Sequence, residues 1–180
     1  MSRAYVVVEG ATDADILRRV LPRDLVEDVE FVVANGRSAA MSLARSILVV
    51  KRAPVALVVD ADTNDEVAVK EQLDLLRYYM SYGAGAAPFE VLAAVPEIDA
   101  VLFQDRSLIE RITGRKSSDL EWQMARRHPK EWLTAVMPDR SAVAHHLNGV
   151  GEDTLSVLRQ HALVRQLMQF LSSVSVDAGR

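Results

Sequence analysis

The sequence predicts an α/β fold, a mostly parallel sheet flanked by helices and followed by a helical C-terminal extension. Strand-sized apolar runs alternate with helix-sized amphipathic segments up to about residue 100, the pattern of successive βαβ units. The run over residues 55–59 is apolar at every position, as a strand buried on both faces of a parallel sheet requires. Past Asp99 the strand signals stop and only helical periodicity remains.

Each element has its own signal. Residues 5–8 are a β-branched run closed by Glu9-Gly10, with Thr12 as a helix cap and Ile16, Leu17, Val20 and Leu21 as the apolar stripe of the following helix. Residues 29–34 form a second strand, Asn35-Gly36 a turn, and residues 38–50 a helix with Met41, Leu43, Ile47 and Leu48 inward. Pro54 introduces the third strand, residues 60–65 make an acidic loop, and a helix spans 66–79. A flexible loop over 83–88 leads to a fourth strand, 89–95, which ends in Pro96-Glu97-Ile98-Asp99. Helices are then expected over 100–112 and 119–127, with Pro129 and Pro138 as breaks. A last amphipathic helix is expected over 154–172, carrying Leu155, Leu158, Leu163, Leu167 and Phe170. The expected division is an α/β core over 1–100 and a helical extension over 101–180 packed on it.

Composition narrows the chemistry. With 49% apolar and 26% charged residues in 180, the chain is built to bury a core and is neither disordered nor collagen-like. It has no cysteine, which excludes disulfide frameworks, thiolate zinc sites, Fe–S clusters and cysteine nucleophiles. The 21 basic and 25 acidic side chains leave a net charge of −4, so contact with a polyanion must be local or metal-mediated. No apolar run approaches the roughly 20 residues of a membrane span, and the N-terminus leads into a strand without a signal-peptide pattern. A cytoplasmic protein is expected.

Acidic residues fall at the expected carboxyl ends of three strands: Glu9 after the first, Asp60 and Asp62 after the third, Glu97 or Asp99 after the fourth. In an open α/β sheet this edge is where ligands bind. Any one of them alone is more often a cap or turn residue than a ligand. Together they form an all-oxygen set suited to a hard divalent cation, and without one the cluster repels itself.

The segment Val6-Val7-Val8-Glu9-Gly10, with Asp13 after two intervening residues, and the segment Leu57-Val58-Val59-Asp60-Ala61-Asp62 together resemble the Toprim domain of topoisomerases, primases and OLD-type nucleases. The resemblance covers about residues 4–100. Asn35-Gly36-Arg37-Ser38 is similar to the glycine turn between second strand and second helix, and Pro96-Glu97-Ile98-Asp99-Ala100-Val101-Leu102 to the acidic stretch before a helix in OLD-like proteins. It implies a Toprim/Rossmann-like sheet and a Toprim-type metal-dependent endonuclease, a hydrolase of phosphodiesters in DNA ahead of RNA. Glu9, Asp60 and Asp62 would then be catalytic and would hold Mg²⁺ or Mn²⁺, with Glu97 or Asp99 completing a second metal position. It also implies a basic residue beyond the acidic motifs, for which Lys116 is the candidate, and a separately encoded partner ATPase, since nothing here resembles the ATPase half of OLD proteins. Tyr5, Tyr78, Tyr79 and Tyr82 are explained by packing, which argues against a topoisomerase.

Residues 105–130 hold seven Lys/Arg against four Asp/Glu, a local basic excess. Arg111, Arg115, Lys116, Arg126 and Arg127 are the candidates for nucleic-acid binding, and a solvated helix face explains them equally well. Trp122 and Trp132 read as core anchors ahead of base-stacking groups. The adjacent His145 and His146 point about 100° apart on a helix and cannot share an ion.

Two other functions stay open. A non-catalytic Toprim-like module would bind metal and nucleic acid, or a partner protein, with the Leu-rich last helix as a candidate dimer surface. A phosphatase of the haloacid dehalogenase type would use Asp60 as nucleophile, Asp62 as acid/base and the downstream Gly151-Glu152-Asp153, although Asn64 stands where its threonine belongs.

Overall fold

A computed structural model describes residues 4–82, 84–139 and 141–177. Four strands, β1 (Ala4–Val8), β2 (Val29–Val33), β3 (Val55–Asp60) and β4 (Phe89–Ala94), form one sheet in the order β2-β1-β3-β4, and every pairing is parallel. Alternate residues serve opposite faces, as the pleat demands. Val6, Val8, Ala56, Val58, Leu92 and Ala94 enter one apolar cluster; Tyr5, Val7, Val55, Leu57, Val59 and Val91 enter the other.

The second cluster is covered by α3 (Arg37–Ser46) and α4 (Glu66–Ser81). The first is covered by α1 (Ala11–Val20), by the short α2 (Arg23–Glu27), and by the C-terminal helical part. That part comprises a 3₁₀ segment, Ile98–Gln104, then α5 (Arg106–Thr113), α6 (Asp119–Arg127), α7 (Pro129–Val136), α8 (Ser141–Leu147), α9 (Glu152–Leu158) and α10 (Ala162–Asp177). One continuous core therefore runs from Ala4 to Val174.

Three elements differ from the sequence expectation. The helix expected over 38–50 ends as α3 at Ser46, and the chain continues in a π-helical turn, Ile47–Lys51, closed by Arg52 in the left-handed region (φ 52°). The helix expected over 100–112 is divided at Asp105, whose carboxylate accepts from the Ser107 and Leu108 amides and starts α5 afresh. The helix expected over 154–172 is two, α9 and α10. Leu158 and Leu163 stand five positions apart, outside the three-to-four stepping of one helix stripe, and between them His161 Nδ1 accepts from the Leu163 amide. The leucine stripe of α10 lies against its own sheet, with Leu163, Leu167 and Leu171 buried.

The strand order reverses between β1 and β3: from β1 the chain first goes outward to β2, then returns to the other side. The crevice at their carboxyl ends is the topological switch point of the fold. The turn after β2 shapes this crevice, because the Gly36 amide donates to the Glu9 carbonyl at 2.9 Å. Gly36 has φ 113° and ψ 163°, a region essentially restricted to glycine. Gly36→Ala is expected to destabilise the protein by about 1–3 kcal/mol, measured by urea unfolding at equilibrium.

Candidate metal centre at the carboxyl edge of the sheet

β3 continues past Asp60 along β4 through two further backbone bonds, Ala61 N–H to the Ala94 carbonyl and Asp62 N–H to the Pro96 carbonyl, both 2.8 Å. Ala61 is buried. Asp62 adopts a left-handed conformation (φ 56°), which Asp tolerates better than most residues. Glu97, just beyond β4, precedes the 3₁₀ segment. As a result, one carboxylate oxygen each from Asp60, Asp62 and Glu97 lies within 4.8 Å of the others. Asp60 is the inner member, Asp62 is exposed and Glu97 lies between these extremes.

Each carboxylate is fixed from behind. Asp60 Oδ1 accepts from the Ile98 amide at 2.8 Å, and Glu97 Oε1 from the Lys130 amide at 2.7 Å. Glu9 is not among the three. Its Oε1 accepts from the Asp60 amide at 3.0 Å and faces Arg37 Nε at 3.5 Å, so it stands behind the cluster and joins the carboxyl ends of β1 and β3. Arg37 also bonds the Asp60 carbonyl and, at 2.8 Å, Asp62 Oδ2. Asp13, on the first turn of α1, accepts from the Gly10 amide at 2.8 Å. Asp99 is fully buried and raises the Asp13 pKa electrostatically.

The electrostatics follow from this crowding. Burial pushes the Asp60 pKa up to about 7; the Ile98 amide opposes the shift, Asp13 and Glu9 add to it, and Lys130 opposes it. Burial likewise raises the pKa of Asp13, against the Gly10 hydrogen bond, with Asp99 and Glu9 reinforcing the rise. Carboxylates held together at such a cost fit a divalent cation, and the donor set is the hard-oxygen type that Mg²⁺ and Mn²⁺ prefer.

A cleft of about 500 Å³ opens from the cluster, lined by Asp62, Asn64, Glu97, Arg127, His128 and Lys130 among others. Its far wall is α6 and α7, and Asn64 Nδ2 ties it to the acidic loop through the Arg127 carbonyl at 3.1 Å. The cations placed at the cleft are therefore Arg127 and Lys130. Lys116 precedes the N-terminus of α6, the helix whose opposite end forms the cleft wall, and its nine residues span about 13 Å. Arg115 is paired with Glu121, and Arg106 with Glu110 and Asp119, so these two do not add to a free basic surface. Arg111 and Arg126 are exposed, outside the lining of the cleft.

Other expectations sort in the same way. Trp122 stacks on Phe103 with ring centroids 5.4 Å apart, and Trp132 meets the same ring edge-on at 5.9 Å, so both are packing groups. Tyr78 and Tyr82 are exposed and pack edge-on against each other, and Tyr79 lies under Arg45. His145 and His146 are exposed with rings 6.3 Å apart. Glu152 pairs with Arg159, which donates to the Val20 carbonyl at the end of α1 remote from Glu9. The downstream acid of the phosphatase scheme thus stands at the opposite end of α1 from the Asp60 cluster.

Sequence reasoning missed Arg37 and Lys130 as site residues and gave Asp13 no role of its own. Asp13 was findable, since four residues after Glu9 it lies in the first turn of the helix that starts at the same edge. Lys130 carried no local signal, because only the docking of α7 against Glu97 brings it here.

No family model and no curated protein matches the sequence. Among solved structures, the fold is similar to the C-terminal region of the Burkholderia pseudomallei OLD protein, with a TM-score of 0.57 and 15% sequence identity over 96% of this chain and 98% of that one.

Proposed function

We propose that this chain is a divalent-metal-dependent nuclease that cleaves nucleic-acid phosphodiesters, DNA ahead of RNA, at the Asp60–Asp62–Glu97 cluster. The observation that carries the proposal is the convergence of three carboxylate oxygens within 4.8 Å at the carboxyl ends of β3 and β4, facing a cleft rimmed by Arg127 and Lys130. The similarity in fold to an OLD C-terminal region supports it. Mg²⁺ or Mn²⁺ bound here would supply an activated water and charge neutralisation at the scissile phosphate.

Asp60, Asp62 and Glu97 would hold the ion, each with its second role already met by a backbone or guanidinium donor. Glu9 and Asp13 add negative charge behind Asp60 and would complete a second position, with Asp99 beneath Asp13. Lys130 and Arg127 would bind the phosphate oxygens and stabilise the charge that develops on them. Arg111, Lys116 and Arg126, farther out on the same helical part, would contact the strand beyond the scissile bond. Residues 1–100 then carry the chemistry and 101–180 the basic wall of the cleft. A separately encoded ATPase and a second copy of the chain belong to this proposal as partners.

The direct test is cleavage of supercoiled plasmid, single-stranded DNA and RNA by the purified protein with Mn²⁺, beside Glu9→Gln and Asp60→Asn. Nicking that needs the ion and is lost in both variants is the expected result. Intact nucleic acid, under conditions where calorimetry shows Mn²⁺ bound to the same residues, would replace the nuclease with a binding module.

A further inference from the structure

The cation inside the acidic site belongs to the protein itself. Arg37, the first residue of α3, reaches across the carboxyl edge and engages three groups at once: Glu9 Oε1, the Asp60 carbonyl and Asp62 Oδ2. It thereby offsets part of the repulsion among these carboxylates. Its side chain is 33% accessible, so solvent and solutes reach it.

Asp62 is the point of conflict. The Asp62 carboxylate that would help hold a divalent ion is the one to which the guanidinium is bonded, through Oδ2. An ion on Asp60, Asp62 and Glu97 would lie within a few ångströms of that guanidinium, and two cations at such a distance in a partly desolvated crevice repel strongly. Release of Asp62 by Arg37 as the ion enters would relieve that repulsion. A guanidinium freed from Asp62 still faces Glu9 through Nε, and the N–H groups it has freed, planar and permanently charged, fit a phosphate oxygen.

We propose that Arg37 is the exchangeable counterion of this site: it holds the carboxylates together while no divalent ion is bound, yields Asp62 to the ion, and then binds a phosphate of the substrate. The proposal rests on the metal-dependent reading above and assigns a phosphate-binding group to it.

The test is calorimetric titration with Mn²⁺ of the wild type, Arg37→Gln, Arg37→Lys and Asp60→Asn, alongside binding of a fluorescent single-stranded oligodeoxynucleotide in Ca²⁺. Loss of the competing charge should make Arg37→Gln bind Mn²⁺ about tenfold tighter than the wild type. The same variant should bind the oligonucleotide about tenfold more weakly, because the released fork is gone. Arg37→Lys, which keeps the charge and loses the fork, should lie between on both axes. If Arg37→Gln does not fold, as judged by circular dichroism, the lysine variant carries the comparison.

A merely structural Arg37 predicts weaker binding of both ligands, and that outcome overturns the proposal. So does Mn²⁺ affinity unchanged in a folded Arg37→Gln, or oligonucleotide affinity unchanged beside tighter Mn²⁺. Failure of the underlying reading looks different: neither the wild type nor Arg37→Gln would bind Mn²⁺, or Asp60→Asn would bind it as the wild type does.

Discussion

Asp60→Asn is expected to stabilise the metal-free protein at pH 8 while removing its affinity for divalent ions. The Asp60 pKa is raised to about 7 by burial, well above an unfolded value near 3.9. The folded state therefore binds the proton more tightly than the unfolded state does, and folding stability falls as pH rises from about 4 through about 7. At pH 8 the whole penalty is present, about 2 kcal/mol once solvent access to the cleft is allowed for. Asn keeps the acceptor for the Ile98 amide and carries no charge, so the penalty disappears. Urea unfolding in EDTA at pH 5 and pH 8 should show a pH-dependent loss in the wild type that is much reduced in Asp60→Asn. Excess Mn²⁺ should then raise the melting temperature of the wild type and leave the variant unmoved. A variant less stable than the wild type at pH 8 would mean that the Asp60 charge is compensated in the free protein.

Lys130→Ala is expected to lower the rate of Mn²⁺-dependent plasmid nicking by about 10²-fold, and Lys116→Ala to leave it within about twofold. Lys130 lines the cleft and lowers the pKa values of both Asp13 and Asp60 through its charge. Its backbone amide holds Glu97, and alanine preserves that bond. The folding transition should fall only slightly, by the lost attraction to Asp13 and Asp60, so a large loss of rate in the folded variant reports lost charge at the phosphate. Initial nicking rates at saturating Mn²⁺ separate the two lysines. A large loss at Lys116 beside a normal Lys130→Ala would shift the phosphate path toward the N-terminal end of α6.

The α/β half was legible because its signals are local. A five-residue apolar run, an Asn-Gly turn and an acidic residue at a strand end each state their own conformation, and the parallel order follows from their alternation. Asp60 and Asp62 were legible for the same reason: one intervening residue after a buried strand places both at the ligand-binding edge. Glu97 could be chosen over Asp99 only in the fold, since one residue of difference at a strand end turns a side chain from cleft to core. The helical half was less legible. Its helix breaks at Asp105 and His161 come from side chains capturing backbone amides, which apolar periodicity does not register. Lys130 was not legible as a cleft residue, because a cation's distance from the carboxylates depends on how α6 and α7 dock.

The packing of both indoles on Phe103 gives the protein an optical property. Trp122 and Trp132 are its only tryptophans, and the ring they share belongs to the 3₁₀ segment that begins directly after Glu97. All of the tryptophan emission therefore originates from one aromatic cluster mechanically joined to a carboxylate of the cleft. The chain carries its own fluorophore next to the site, in a position to report events there without an attached dye.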